Sequence, residues 1–337
     1  MNYSYEDAAY ISNNSMNIPD LIFNLPFNLN VVFITFILVF LICIAGIVGN
    51  SMVIWLLGFR MKRNPFTTYV LNLAAADMGV LVASILGYIT ATIFVLSGNF
   101  ALMGFYIYAY VWASMYITDQ FLLTVISVDR CVAVLFPLWH RCHRPPRLSG
   151  TVCVSVWVLS FLIAVLDFFL SFANEFTLLQ FTVNVAICTP VMAISTVILS
   201  AKICTKSQQR KRGKLLPVIL LALFCFLLFG LPVNYFYIVS YTLDDLDVES
   251  WAGRASDDSA SSFHELLASK VDLIMIPTLV AFMCTILNCS INPLIYFLVG
   301  RKKKGRSRQS MKAALQRIFK DDENCRGQEG PRSETQL

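Results

Sequence analysis

Three places in this chain carry residues able to do chemistry. An acid-arginine pair closes the apolar run Ile126-Ser127-Val128-Asp129-Arg130-Cys131 and leads into Leu135-Phe136-Pro137-Leu138-Trp139-His140-Arg141-Cys142-His143-Arg144-Pro145-Pro146, a basic loop broken by Pro137. Two further acids, Asp77 and Asp119, sit inside other apolar stretches, and Asp167 stands near aromatic residues. A charge at the middle of a membrane helix costs about 2.5 to 3.5 kcal/mol on insertion scales, so a charge retained there is read first as functional. The Asp129-Arg130 pair beside a basic loop suits docking of a cytosolic partner.

Asp77 and Asp119 suit a different chemistry. With a rise of about 1.5 Å per residue, Asp77, about ten residues above the foot of its helix, reaches the depth of Asp119, which lies eleven residues before Arg130. Asn50, Asn288 and Asn292 reach the same level and complete a polar cluster at mid-membrane. Two carboxylates in one dry cavity cannot both stay charged without a cation, so the cluster is expected to hold a cation or to keep a proton. Asp167 has Tyr88, Trp112, Tyr116 and Tyr235 on neighbouring helices and Glu175 in the loop beyond it. Aromatic faces with one acid suit an arginine, lysine or amine of a ligand.

The elements that position these residues are helices. The chain is 57% hydrophobic and 14% charged, far more apolar than a soluble domain, with a mean hydropathy of +0.66. Apolar runs at 31–57, 67–96, 101–135, 149–172, 178–203, 215–241 and 272–299 each approach or exceed the roughly 20 residues needed to cross a bilayer. They predict an all-α membrane protein, a bundle of seven transmembrane helices. Pro190, Pro232 and Pro293 place bends in helices 5, 6 and 7.

Charge sets the orientation, because short cytoplasmic loops are rich in lysine and arginine. No Lys or Arg precedes helix 1 or lies between helices 2 and 3 or 4 and 5, whereas the opposite side carries Arg60, Lys62, Arg63, Arg141, Arg144, Arg147, the run from Lys206 to Lys214 and the tail from Arg301. The N-terminus is therefore expected outside, on a multi-pass protein of the plasma membrane. The outer side is acidic, with Asp244, Asp245, Asp247 and Glu249 in a long loop from about 242 to 270, a field that concentrates cations.

Four segments follow: an extracellular N-terminus at 1–29 with glycosylation sequons at Asn2 and Asn13, the helical domain at 30–300, an amphipathic segment at 301–320, and a disordered cytoplasmic tail at 321–337. Met311, Leu315, Ile318 and Phe319 recur at helical spacing among basic residues, a pattern that lies on membrane lipid. Thr335 and Leu337 end the chain as a ligand for PDZ-domain proteins. None of the ten cysteines falls in an outer loop, so an extracellular disulfide is not expected, and Cys325 is either a lipidation site or a free thiol.

Other classes fit poorly. Three histidines, His140, His143 and His264, on two membrane faces cannot assemble a catalytic site, and no internal repeat marks a transporter. Nothing in the pattern points to nucleic acid.

The landmarks Gly49-Asn50, Leu73 to Asp77, Asp129-Arg130-Cys131, Trp157, Pro232 and Asn292-Pro293-Leu294-Ile295-Tyr296 resemble those of rhodopsin-like G-protein-coupled receptors. Phe59 to Thr67, Trp139 to Pro145, Trp157-Val158-Leu159-Ser160 and Tyr296 to Lys304 narrow the resemblance to the Mas-related receptors. The resemblance implies an extracellular ligand, a heterotrimeric G protein and arrestin as partners, with Arg130 released from Asp129 on activation to meet the Gα subunit, and Pro137, Leu138 and Tyr296 beside it. It also implies a sodium ion at the helix-2 acid Asp77, although relatives usually place a serine where this chain has Asp119. Gly230, just before Pro232, stands where most relatives carry a tryptophan switch. The foot of helix 6 offers Arg130 no second acid, so a raised basal activity is expected. A receptor of the same fold that binds and internalises ligand, or scaffolds other proteins, without signalling remains the alternative.

Overall fold

The computed structural model describes residues 29–61, 64–97, 102–145, 147–172, 179–205, 216–230, 232–234, 260–300 and 311–318, and their regular structure is helical throughout. Seven helices are long and apolar enough to cross a membrane. We label them α1 (Leu29–Trp55), α2 (Pro65–Ser97), α3 (Leu102–Leu135), α4 (Leu148–Phe172), α5 (Thr189–Thr205), α6 (Leu216–Asn234) and α7 (Ala260–Gly300). Only a helix satisfies its own backbone hydrogen bonds within one segment, which is why apolar runs of this length fold this way in lipid.

The apolar surface is turned inside out relative to a soluble protein. Val154, Val158, Phe161, Leu162 and Phe169 on α4 are exposed, as suits a face bathed by lipid chains, while polar side chains point into the bundle. α3 is the central post and packs against α2, α4 and α5, whereas α1 packs against α2 and α7. Gly49 permits the α1–α7 approach: a Cβ there would stand 3.0 Å from Pro293 Cβ. One apolar core lies toward the Asp129 end, with Leu73, Ile126, Phe226 and Tyr296, and a second toward the other end, with Val80, Trp112, Tyr116 and Ile286.

Four local features differ from the sequence expectation. Pro137 does not simply break the loop: it opens a six-residue helix, Pro137–Cys142, after Phe136 leaves helical geometry at φ −124°, ψ 63°, because proline is pre-shaped for a first helical turn. α5 is entered through a π-helical turn, Asn184–Cys188, so the irregularity precedes Pro190, and a similar turn, Leu56–Arg60, ends α1. α7 begins at Ala260, shortening the long outer loop by helical turns. Leu315 and Ile318 are fully buried against the core at the Asp129 end: the apolar stripe of the 311–318 helix covers the bundle's own apolar surface instead of facing lipid. Phe319 lies outside the described residues.

Candidate functional site

The foot of α3 carries a compact ionic cluster. Asp129 Oδ2 accepts from Arg130 Nη2 at 2.5 Å and from Arg130 Nε at 3.1 Å. The short helix then turns the chain back, so that Arg144 Nη2 lies 2.8 Å from Asp129 Oδ1. The same nitrogen donates to Ser149 Oγ at 2.9 Å, and Arg144 Nη1 faces His140 Nε2 at 2.7 Å. A guanidinium has donors only, so an imidazole nitrogen this close accepts from it. His140 Nε2 is also 3.5 Å from Asp129 Oδ1. The Arg130 guanidinium lies 4.3 Å over the Phe66 ring, and Arg144 is 6.0 Å from the Tyr69 ring centre.

These charges are nearly dry: the side chains of Arg130, Asp129 and Arg144 are 4%, 9% and 6% exposed. Buried charges persist only when paired, and the planar fork of arginine suits both oxygens of one carboxylate. Beside the cluster, Phe136 and Leu138 are exposed apolar side chains, while Tyr296 is buried.

Halfway along the bundle the acids of α2 and α3 meet the asparagines of α7. Asp77 Oδ2 accepts from Asn292 Nδ2 at 3.0 Å. Asp119 Oδ2 accepts from Asn288 Nδ2 at 3.4 Å and from Gln120 Nε2 at 3.3 Å. Asn50 Nδ2 donates to the carbonyls of Gly46 and Cys289 at 3.1 and 3.0 Å. Asp77, Asp119 and Cys289 each bring one ligand atom within 4.8 Å of the others. Oδ1 of both acids is buried without a hydrogen-bond partner. Two unspent carboxylate oxygens fit a hard cation, which prefers oxygen donors; the thiol does not add to that fit.

Toward the opposite end, Trp112 and Tyr116 stack with centroids 5.1 Å apart and planes 8° from parallel. The facing surfaces of the two rings are spent on each other. Tyr88 meets Phe36 and Phe282 edge-on at 5.4 and 5.3 Å, and Asp167 is half-buried near the end of α4. Gly230 is buried, and a Cβ there would stand 3.0 Å from Phe226 Cζ, so the Phe226 ring occupies the space beside it. Pro232 is half-buried. Tyr235, Glu175, Asn2, Asn13, Thr335 and Leu337 lie outside the described residues.

Residues 49–204 match the family model of the 7 transmembrane receptor (rhodopsin family). Proto-oncogene Mas of Rattus norvegicus is 33% identical over 306 residues, covering 85% of this chain and 83% of that protein. Mas-related G-protein coupled receptor member D of Macaca fascicularis is 33% identical, covering 87% of each chain, and member A8 of Mus musculus is 32% identical, covering 82% and 86%. This chain is a Mas-related G-protein-coupled receptor. It is a multi-pass protein of the plasma membrane that signals from extracellular ligands to heterotrimeric G proteins, and it is not an enzyme.

Three residues of the receptor's clusters were not singled out from sequence. Arg144 and His140 join Asp129 only because the short helix reverses the chain, and nothing local signals that return. Cys289 had a local signal: it sits between Asn288 and Asn292 on the same turns of α7. Cys43, Cys131, Cys142, Cys153, Cys188, Cys225, Cys284 and Cys289 are free thiols.

Proposed function

We propose that this Mas-related receptor takes cationic extracellular ligands, a peptide or an amphipathic amine, with its N-terminus outside and Asp129-Arg130 at the G-protein face. The observation that carries the reading is the foot of α3, where a buried arginine rests on a carboxylate beside the exposed apolar pair Phe136 and Leu138. A charge so placed is available to an incoming partner once the pair separates, and Leu138 offers that partner an apolar knob. Asp167 with Glu175, on the acidic outer side, supplies the charge complementary to a cationic ligand. Trp112 and Tyr116 are stacked on one another and buried in the core, whereas Asp167 is half-buried, so a ligand cation would meet Asp167 before those rings.

Asp77 and Asp119 are proposed to hold a sodium ion or to share a proton, whose positive charge lets two carboxylates occupy one dry cavity. The tail residues Thr335 and Leu337 are proposed to dock PDZ domains, the basic segment from Arg301 to bind lipid headgroups, and arrestin to use the same inner face. Raised basal activity belongs to the same reading, since the basic foot of α6 adds no acid to restrain Arg130.

Loading of GTP on co-expressed Gα subunits, with and without Arg130→Ala, tests the coupling role. Loss of loading at equal surface expression is expected. Equal loading in the two proteins overturns it and favours a receptor that binds or scaffolds without signalling.

A further inference from the structure

Asp129 has one carboxylate and two guanidinium partners, and the two partners use different oxygens. Arg130 takes Oδ2, and Arg144 takes Oδ1. We propose that Arg144 is the counter-ion that stays with Asp129 when Arg130 leaves, and so is a positioning residue of the coupling step. This rests on the reading of Asp129-Arg130 as the pair that opens toward the G protein.

The physical problem is the carboxylate left behind. Asp129 lies in a nearly dry site, and a buried charge stripped of its partner is strongly disfavoured. If Arg130 were its only cation, opening the pair would strand that charge. Arg144 removes the difficulty because it is held in place without help from Arg130. Ser149 at the start of α4 accepts from its Nη2 at 2.9 Å, and His140 accepts from its Nη1 at 2.7 Å. The Tyr69 hydroxyl on α2 lies 3.5 Å from Nη2 and the Tyr69 ring is beside the guanidinium. The short helix supplies the rest: a proline at its first position and His143 at its end set Arg144 back over the acid. Arg130 can then depart while Asp129 stays paired, and the closed and open arrangements differ less in energy than they would with one cation. A population of open receptor without ligand follows.

The alternative is that Arg144 only braces the short helix. The two roles separate in a double-mutant comparison read as basal GTP loading per receptor at the cell surface. Arg144→Gln removes the charge, and its shorter side chain also gives up the guanidinium's hydrogen bonds to Ser149 and His140; it is expected to lower basal loading by at least about fivefold, the lower end of ordinary coupling between sites. Arg144→Lys is expected to restore much of it. With Asp129→Asn in place there is no charge to strand, so adding Arg144→Gln is expected to leave loading close to that of Asp129→Asn alone. A brace predicts the same fall in both backgrounds, and that result overturns the proposal, as does basal loading that rises or stays level in Arg144→Gln. Where Arg144→Gln fails to reach the surface, Ser149→Ala loosens the guanidinium without removing it, and the same background dependence is expected. Should Arg130→Ala itself leave loading intact, the reading beneath the proposal has failed; should Arg130→Ala abolish loading while Arg144→Gln does nothing, the proposal alone has failed.

Discussion

Trp157 Nε1 donates to Asn72 Oδ1 at 3.0 Å, tying α4 to α2 near mid-bundle, while Asn72 Nδ2 donates to the Thr68 carbonyl within α2. Asn72 is thus fixed by its own helix and presents its oxygen to the indole. In Trp157→Phe the ring packing is largely kept and the bond is lost. Hydrogen bonds between membrane helices average about 0.6 kcal/mol, with a maximum near 1.7, so the purified receptor is expected to lose stability in that range. Thermal unfolding in detergent measures it, and a melting temperature equal to the parent's would remove the bond from the account.

Glycine serves contact at one position and not at another. A Cβ at Gly49 meets Pro293 Cβ at 3.0 Å, whereas at Gly58 it meets nothing within 4 Å. Gly49→Ala is expected to cost about 1 to 3 kcal/mol by overpacking, and Gly58→Ala to stay within about 0.5 kcal/mol of the parent. Surface expression and thermal unfolding of the two variants provide the comparison; equal losses would contradict it.

Asp119→Ser removes the second carboxylate from the cluster with Asp77 and Cys289. Basal GTP loading over a sodium series and a pH series is expected to change in this variant and not in Asp257→Asn, which removes an acid of the long acidic stretch that precedes α7 in the sequence. Identical series for Asp119→Ser and the parent would show that the two acids do not share a cation or a proton.

Asp167→Asn is expected to weaken cationic agonists. Losing one partner of a buried charge pair costs about 2 to 5 kcal/mol; for a half-buried acid the lower end applies, or roughly thirtyfold in potency at about 1.4 kcal/mol per decade. A dose-response curve with a verified cationic agonist reads the shift directly, and unchanged potency would take Asp167 out of the ligand site.

Leu337→Ala should abolish capture of PDZ domains by the tail, since the mode of binding buries the last apolar side chain and holds the terminal carboxylate. A pulldown that retains every PDZ partner would rule the motif out.

Much of this receptor was legible along the chain because lipid leaves a spanning segment few choices: a long apolar run must close its hydrogen bonds internally, and a helix does so. Depth was legible for the same reason, since a fixed rise per residue sets the level of Asp77, Asp119, Asn288 and Asn292 along their helices. Rotation about the helix axis and the course of the loops were not. Nothing local says that the chain after Pro137 turns back to set Arg144 on Asp129, that Leu315 and Ile318 close over the bundle, or that Trp112 and Tyr116 spend their faces on each other. Those outcomes depend on which neighbour supplies the lowest-energy partner. For a charge, an apolar stripe or an aromatic face, that neighbour comes from elsewhere in the chain and is set only by the tertiary structure.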